Sequence, residues 1–530
     1  MISNKKISII SYIILGVFAF FINYWTASRG VFPIDTFLHF DSAVRISNEE
    51  LPIRDFWIVH GLFVDYMQLL FFKIFGVNWK AYVIHGSTFN SIIALFSYKI
   101  FKEFNIESLH AFLLSICVAT LAYPVSGTPF LDLHSAFISL FAMYFLLLYI
   151  KNNKYFYICI SIILLGLAFF SKQVPTGYFI LFVSLFLLFY SYQIKSFKPL
   201  YFSFFSTILF LVILAFYLLL TQTNLQDFFL QLFIFPGEIA KNRQETYLLN
   251  LTNTFFNIKF IHLFLVPIIL IIIYKLFKKN FIKSKDFYYF LIIFFFSTAM
   301  IYHQIYTKNQ IFIFFLIPIL CAFLIYFSKD IVIYNKKFLT YFIIIICILI
   351  TFKYHLRFNE QRKFHELVNT NIDNAIEINF EKDFFSGLKW ITPNFKNPKK
   401  ELEIIESFYL LVKKDKSKKM IITQYSFFSS LLDEKFYSPS RTYDNISYPS
   451  LNNVNYQIYK EFFKKNITKN KIDNIYIFFT SSNWLEKDTL NHLVFNYLPN
   501  NCYKLINLSK YVRKIVLNKC DYLLSKNEIN

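Results

Sequence analysis

Eleven times along the chain, charged residues give way to an apolar stretch long enough, at roughly 20 residues of helix, to cross a bilayer. These stretches lie near 7–25, 81–101, 108–123, 133–150, 155–171, 177–194, 200–220, 258–277, 287–303, 309–327 and 338–352. Composition agrees, because 56% of the 530 residues are hydrophobic and 16% are charged, where a soluble protein carries about 25% charged residues. The sequence therefore predicts an all-α polytopic membrane domain of about 11 transmembrane helices.

Charge placement sets the orientation. If the first span enters from the cytoplasm after Lys5 and Lys6, the loops 102–107, 151–154, 195–198, 275–285 and 328–337 fall inside. They carry Lys102, Lys151, Lys154, Lys195, Lys198, Lys275, Lys278, Lys279, Lys283, Lys285, Lys329, Lys336 and Lys337. The outward loop after the third span has no basic residue, and the one after the fifth has only Lys172. This is the positive-inside pattern with a cytoplasmic amino terminus. A formal charge of +21 would suggest nucleic acid in a soluble protein. Here it is a topology signal, and the expected partners are membrane lipid and no nucleic acid. The first apolar stretch begins like a signal peptide but exceeds the roughly 7–15 residues such a peptide uses, so it is expected to stay as an anchor.

Two domains follow: a membrane domain over 1–352, with its first outer loop at 26–80, and an outer domain over 353–530. The second would be periplasmic on a Gram-negative inner membrane, or extracellular on an equivalent cytoplasmic membrane. Its charge cluster Lys413–Lys419 and its apolar stretches Lys419–Thr423 and Ile472–Phe479, which read as strands, predict a small α/β fold. Cys117, Cys159, Cys321 and Cys347 fall within spans as core residues. Cys502 and Cys520 lie in the tail, where an oxidising compartment permits a disulfide.

Glycine spacing excludes whole classes of chemistry. The closest pairs, Gly76 with Gly86 and Gly166 with Gly177, are ten or more residues apart, so no GxGxxG or Walker loop exists to cradle a nucleotide phosphate. An ATP-driven pump would need a partner ATPase. The chain also lacks a DxD triplet, the usual metal grip of soluble glycosyltransferases.

Between the first two spans lies a loop of about 55 residues, VFPIDTFLHFDSAVRISNEELPIRDFWIVHGLFVDYMQLLFFKIFGVNW over 31–79, where a connector needs only about 2–8. Pro33 and Asp35 form a good helix start. A helix over Asp35–Ser47 would line Phe37, Phe40 and Val44 on one face and set Asp35 and His39 four apart on another. Gly61–Gly76 is too short to span, and Asp65, Gln68 and Lys73 fall on one side of it, which predicts an amphipathic helix in the outer interface.

These residues carry a family resemblance. The loop resembles that of the GT-C class of membrane glycosyltransferases, to which protein O-mannosyltransferases and lipid A aminoarabinose transferases belong. Their loop runs approximately DE, then HF, later D and HPPL, later LFG. The counterparts here are Asp35-Thr36, His39-Phe40, Asp55, His60-Gly61-Leu62 and Ile74-Phe75-Gly76. The match departs where Thr36 replaces an acidic residue, where one extra residue separates Asp35 from His39-Phe40, and where Gly61 replaces proline. It covers the region to about residue 350; the tail adds nothing to it.

The resemblance implies inverting transfer of a sugar from a polyprenyl-phosphate donor to an envelope glycan, lipid or protein acceptor on the outer face. A carboxylate near the acceptor hydroxyl would act as general base. Asp35 is the first candidate and Asp41 the second, with a solvated or helix-capping carboxylate as the competing reading of each. Asp55 and His60 would position substrate or form a turn. The departing phosphate calls for cations: Lys172 is the leading one, against a snorkelling helix-end lysine, followed by Arg243, His303 and Lys308. Asp132 and His134 also face outward and either join a site or cap a helix. The sequence points to no particular cofactor; a divalent metal between Asp35 and another outer carboxylate is compatible with it, but no ligand spacing demands one.

Two other classes use the same number of spans. A transporter or flippase of lipid-linked glycans would show internal repeats and mid-membrane ionisable groups, and no repeat is evident. A surface-polysaccharide polymerase or ligase places its long loop late among the spans, whereas here it follows the first. A non-enzymatic scaffold with an outer receptor-like domain is the remaining alternative.

Overall fold

The computed structural model describes every residue except 1, 123–126, 246–250, 279, 308–312, 332–334, 364–366, 394, 396, 444–446, 481–495, 519, 521–522 and 524–530; of 2–8, 242–245, 253 and 330 it describes the backbone alone. The chain is mostly helical, at 67%. Packing divides it into two units that interleave in sequence. Met1–Ser28, Val83–Phe216 and Arg243–His365 form one; Arg29–Tyr82, Tyr217–Asn242 and Glu366–Asn530 form the other. By packing, the first long loop therefore belongs with the tail rather than with the spans that flank it.

Each of the eleven expected stretches carries a helix, and this is a multi-pass membrane protein. Among the described residues seven helical segments are long and apolar enough to cross a membrane: Ile9–Thr26, Leu131–Asn152, Gln173–Gln193, Lys198–Leu220, Phe256–Leu276, Lys285–Tyr306 and Lys336–Glu360. Ser108–Ala122, Phe156–Phe169 and Leu316–Phe327 are apolar but shorter. The helix Trp79–Glu103 is long enough at 25 residues, but His85, Ser87, Asn90 and Ser97 dilute its apolar character.

Within the first unit, Leu131–Asn152 is 89% buried and packs on Phe156–Phe169, Gln173–Gln193 and Lys285–Thr307. Lys198–Leu220 is the opposite case, 6% buried, and leaves Phe204, Leu211, Val212 and Phe216 exposed, a surface suited to lipid chains. Buried amides tie helices together. Asn90 Nδ2 donates to Ala19 O at 2.7 Å and Ala119 O at 3.1 Å, which satisfies backbone oxygens on two neighbouring helices from a third. Gly127 has φ +65°, and a Cβ there would stand 2.7 Å from the Ala27 backbone, so only glycine fits.

The second unit is built on a four-stranded sheet. After a two-residue pair, β1 (Ile376–Glu377) with β2 (Lys389–Trp390), come β3 (Lys419–Thr423), β4 (Asn474–Phe478), β5 (Tyr503–Asn507) and β6 (Val512–Leu517), in the order β3-β4-β6-β5. β3 and β4 are parallel and the other pairs antiparallel. The parallel pair needs a crossover, which the helix Tyr456–Asn470 supplies. Residues on β4 alternate between faces: Ile475 and Ile477 join Tyr459 and Phe463 of that helix in one core, while Phe478 stacks on Phe408 of the helix Pro398–Lys414 at 4.2 Å. Both faces are covered, so both strands are buried throughout and read as unbroken apolar runs. The expected small α/β fold is present, and Cys502 is bonded to Cys520.

The long loop completes this unit. Its backbone pairs with β2 at Gly30 N–H to Lys389 O, 3.0 Å, and Val31 N–H to Ile391 O, 3.0 Å. Trp57 brackets Ser440: its N–H donates to Pro439 O at 2.8 Å and its carbonyl accepts from Arg441 N–H at 3.0 Å. Trp57, Val59, Leu230 and Phe235 share one core with Met420, Tyr459 and Ile475.

Candidate functional site

The helix expected over 35–47 is two helices, Pro33–Thr36 and Leu38–Ser47, separated at Phe37. The Phe37 ring is held among Phe40, Trp79, Trp390 and Phe427, and the Thr36 hydroxyl takes the Phe32 N–H at 3.0 Å, which closes the first turn. Asp35 and His39 therefore do not share a helix face. Asp35 sits half-buried on the short turn, and His39, Asp41 and Arg45 are buried on the second helix.

That second helix carries a chain of ionic contacts into the tail. His39 Nδ1 lies 2.6 Å from Asp65 Oδ1, and Asp65 Oδ2 accepts from Arg441 at 2.7 Å. A carboxylate is acceptor-only, so His39 carries its proton on Nδ1. Burial lowers the His39 pKa, outweighing the opposing pull of Asp65, with Arg441 adding to the fall, and the ring is neutral. Arg45 holds Glu50 through Nε and Nη2 at 3.1 and 2.8 Å, donates to Ser438 O at 2.7 Å, and lies over the Phe56 ring at 4.0 Å. Both arginines are 3% exposed. Each nevertheless keeps one terminal nitrogen, Nη1 of Arg45 and Nη2 of Arg441, buried with no partner among the described residues.

Those two guanidiniums line one cleft, partly open to solvent, together with Asp41, Tyr425 and Ser426. Asp41 Oδ1 accepts from Ser429 at 2.6 Å. Burial pushes its carboxyl up to about 6, against the opposing pull of Arg45 and Ser429. Behind the cleft, Tyr425 donates to Glu401 at 2.7 Å, a buried carboxylate also bonded by Trp390 Nε1 at 3.0 Å and Thr392 at 2.8 Å. Asp35 and His60 are not among the lining residues; His60 is half-buried at the turn before Gly61.

Asp55 closes a turn. It accepts from Leu51 N–H at 2.9 Å and Arg54 at 2.6 Å, and meets Lys469 at 3.0 Å. Partial burial pushes its carboxyl up, but the Arg54 guanidinium, the Leu51 N–H and Lys469 together hold it below the ordinary value. The expected interfacial helix is Phe63–Phe75, and its sides are inverted relative to a soluble helix. Asp65 and Gln68 are fully buried, while Leu70, Ile74, Phe75 and the following Val77 are exposed.

In the membrane unit three of the expected residues meet. Lys172 donates to both oxygens of Asp132 at 2.6 Å, and His303 Nε2 lies 3.0 Å from Asp132 Oδ1. His134 bonds Phe130 O through Nδ1 at 3.0 Å and lies 3.2 Å from His85, Nε2 to Nε2. A carbonyl only accepts, so His134 donates from Nδ1 and, when neutral, accepts at Nε2 from His85. The Arg243 side chain and Lys308 lie outside the described residues.

Sequence reading missed Arg45, Glu50, Asp65 and Arg441 as site residues. Two signals were present: Arg45 stands one helical turn after Asp41, and Arg441 is one of only four arginines, with Arg357, Arg362 and Arg513, in a lysine-rich tail, where buried ion pairs favour arginine. Among the described residues no group of three or more His, Cys, Asp or Glu is arranged to hold a metal ion. The chain matches no protein-family model and no curated protein.

Proposed function

We propose that the protein is a GT-C-like integral membrane glycosyltransferase of about 11 spans. It moves a sugar from a polyprenyl-phosphate donor to an envelope glycan, lipid or protein acceptor, with inversion, on the outer side of the cytoplasmic membrane. In this reading the amino terminus is cytoplasmic and the tail is periplasmic or extracellular, which the Cys502–Cys520 bond supports because such bonds persist in oxidising compartments. The observation that carries the proposal is the cleft: a buried carboxyl tuned to about 6 beside two guanidiniums with spare N–H groups. A base titrating near the working pH suits removal of a proton from an acceptor hydroxyl, and the cations suit the charge that develops on a departing phosphate. Asp41 is accordingly the base favoured over Asp35.

The test is sugar transfer by the purified protein in lipid, with radiolabelled polyprenyl-phosphate sugars as donors and a membrane glycan extract as acceptor. Asp41→Asn is expected to lower transfer by about 10²–10⁴-fold and Asp35→Asn by much less. Loss in Asp35→Asn alone would return the role to Asp35. A second reading, a transporter of lipid-linked glycans, is favoured by the buried Asp132–Lys172–His303 group at the ends of three spans, since ionisable residues in spans mark translocation paths. No transfer across the donor panel, with flux of a lipid-linked glycan, would select it.

A further inference from the structure

The cleft also says what kind of ligand fits it. Its two lining carboxylates are already engaged, Glu50 by Arg45 and Asp41 by Ser429, and Arg441 holds Asp65 behind the wall. What the walls still offer is donors. Arg45 Nη1 and Arg441 Nη2 are buried, unpartnered among the described residues, and belong to side chains that line the same space. Leaving a charged donor dry and unpaired is costly, whereas an oxyanion placed between two such nitrogens would satisfy both with charge-assisted bonds. The remaining walls bring together the rings of Tyr425, Phe428, Phe436 and Tyr443 and the hydroxyl of Ser426. Aromatic faces cover the apolar faces of a sugar ring, and hydroxyls answer its polar edge.

We propose that this cleft binds a sugar unit carrying an oxyanion, carboxylate or phosphate, with the oxyanion bridging the free edges of Arg45 and Arg441. The inference rests on the glycosyltransferase reading for its sugar and on the two guanidiniums for its charge. The anionic unit has two sources: an acid group on the acceptor glycan, or the sugar phosphate of the donor. No residue of the seven long apolar helices lines the cleft, which favours the acceptor.

The experiment is calorimetric titration of the full-length protein in lipid nanodiscs with three probes: methyl glucuronide, glucose 1-phosphate and neutral methyl glucoside. At least one anionic probe is expected to bind tenfold or more tightly than the neutral one, and inorganic phosphate is expected to displace it. Tighter binding of the glucuronide identifies an acidic acceptor, and tighter binding of glucose 1-phosphate identifies the donor. Arg45→Lys and Arg441→Lys keep a cation for Glu50 and Asp65 but lose the free edge, so each should weaken the anionic probe about tenfold while a cooperative thermal unfolding transition is retained. Equal binding of the neutral probe, no binding of either anion, or full affinity in both lysine variants would overturn the proposal. Because the phosphate displacement uses wild type, a variant that fails to fold does not protect it. Anion binding without transfer from any donor would sink the transferase reading and leave this one standing; transfer that proceeds equally to neutral and acidic acceptors, with no anion binding, would do the reverse.

Discussion

The molecule contains two buried charge clusters that solve the same problem differently. In the membrane unit, Lys172 spends its charge on both oxygens of Asp132, and His303 takes what one oxygen has left. In the loop-and-tail unit, Arg45 and Arg441 each grip a carboxylate and still keep a free edge. The difference is in the cations. An ammonium is a compact point charge with three donors, two of which the Asp132 carboxylate takes, whereas a guanidinium presents five donors in a fixed fork and holds a partner along one side only. A closed pair suits a span, where unmatched charge has no water to retreat to. An open one suits a binding cleft. Lys172 was the leading phosphate-binding cation on sequence grounds, and in the structure its charge is matched by Asp132.

The sharpest way to break this comparison is to open the closed cluster. Asp132→Asn leaves the Lys172 ammonium buried without its counter-ion and is expected to cost about 3–5 kcal/mol. Lys172→Met should cost a similar amount, and the double variant should recover most of it, because the pair then disappears together. Thermal unfolding in detergent measures all three. Two small, additive losses would mean that water already reaches the pair, and Lys172 would regain its standing as a phosphate ligand.

In the open cluster the expected sign reverses. The native Asp41 carboxyl titrates at about 6, above the ordinary value of about 3.9, so the folded state holds a proton that the unfolded chain releases. Stability from this group is fully present below about pH 4, falls as pH rises, and levels off above about 6, a loss on the order of 3 kcal/mol. Asp41→Asn removes the titration. The variant should match wild type near pH 4, exceed its stability at pH 8 by up to about 3 kcal/mol, and lack transfer activity, whose acid limb in wild type should lie near pH 6. A variant no more stable at pH 8 than at pH 4, relative to wild type, would show that Asp41 is not tuned by burial.

How much of this was legible in the sequence depends on how far each contact reaches. The helices and the strands Lys419–Thr423 and Asn474–Phe478 were legible because apolar runs are local signals. Asp132, Lys172 and His303 were each singled out by type and position, but nothing in a linear pattern shows three side chains converging. The cleft was harder still. Asp65 meets Arg441 across 376 residues and Asp41 meets Ser429 across 388, so the tail, which added nothing to the family resemblance, supplies most of the cleft's walls. The break at Phe37 was hidden for another reason: helix propensity runs through it, and only the buried aromatic cluster around that ring decides otherwise.

Asp55 offers the smallest effect and the finest discrimination between a structural carboxylate and a binding one. Its contacts are local or exposed: the Leu51 N–H and Arg54 within the turn, and Lys469, whose side chain is 55% exposed. Such pairs are worth little individually. Because its carboxyl is held below the ordinary value, its contribution is present above about pH 4 and disappears as pH falls through the depressed native value. Asp55→Asn retains an acceptor for Leu51 and forfeits the ion pairs, so it should cost about 1 kcal/mol at pH 7, with the gap to wild type closing on acidification. Donor affinity and transfer rate should be nearly unchanged. A variant with native stability but lost transfer would show the opposite: that the turn exists to present Asp55 to substrate, and that this loop carries a second binding carboxylate beside Asp41.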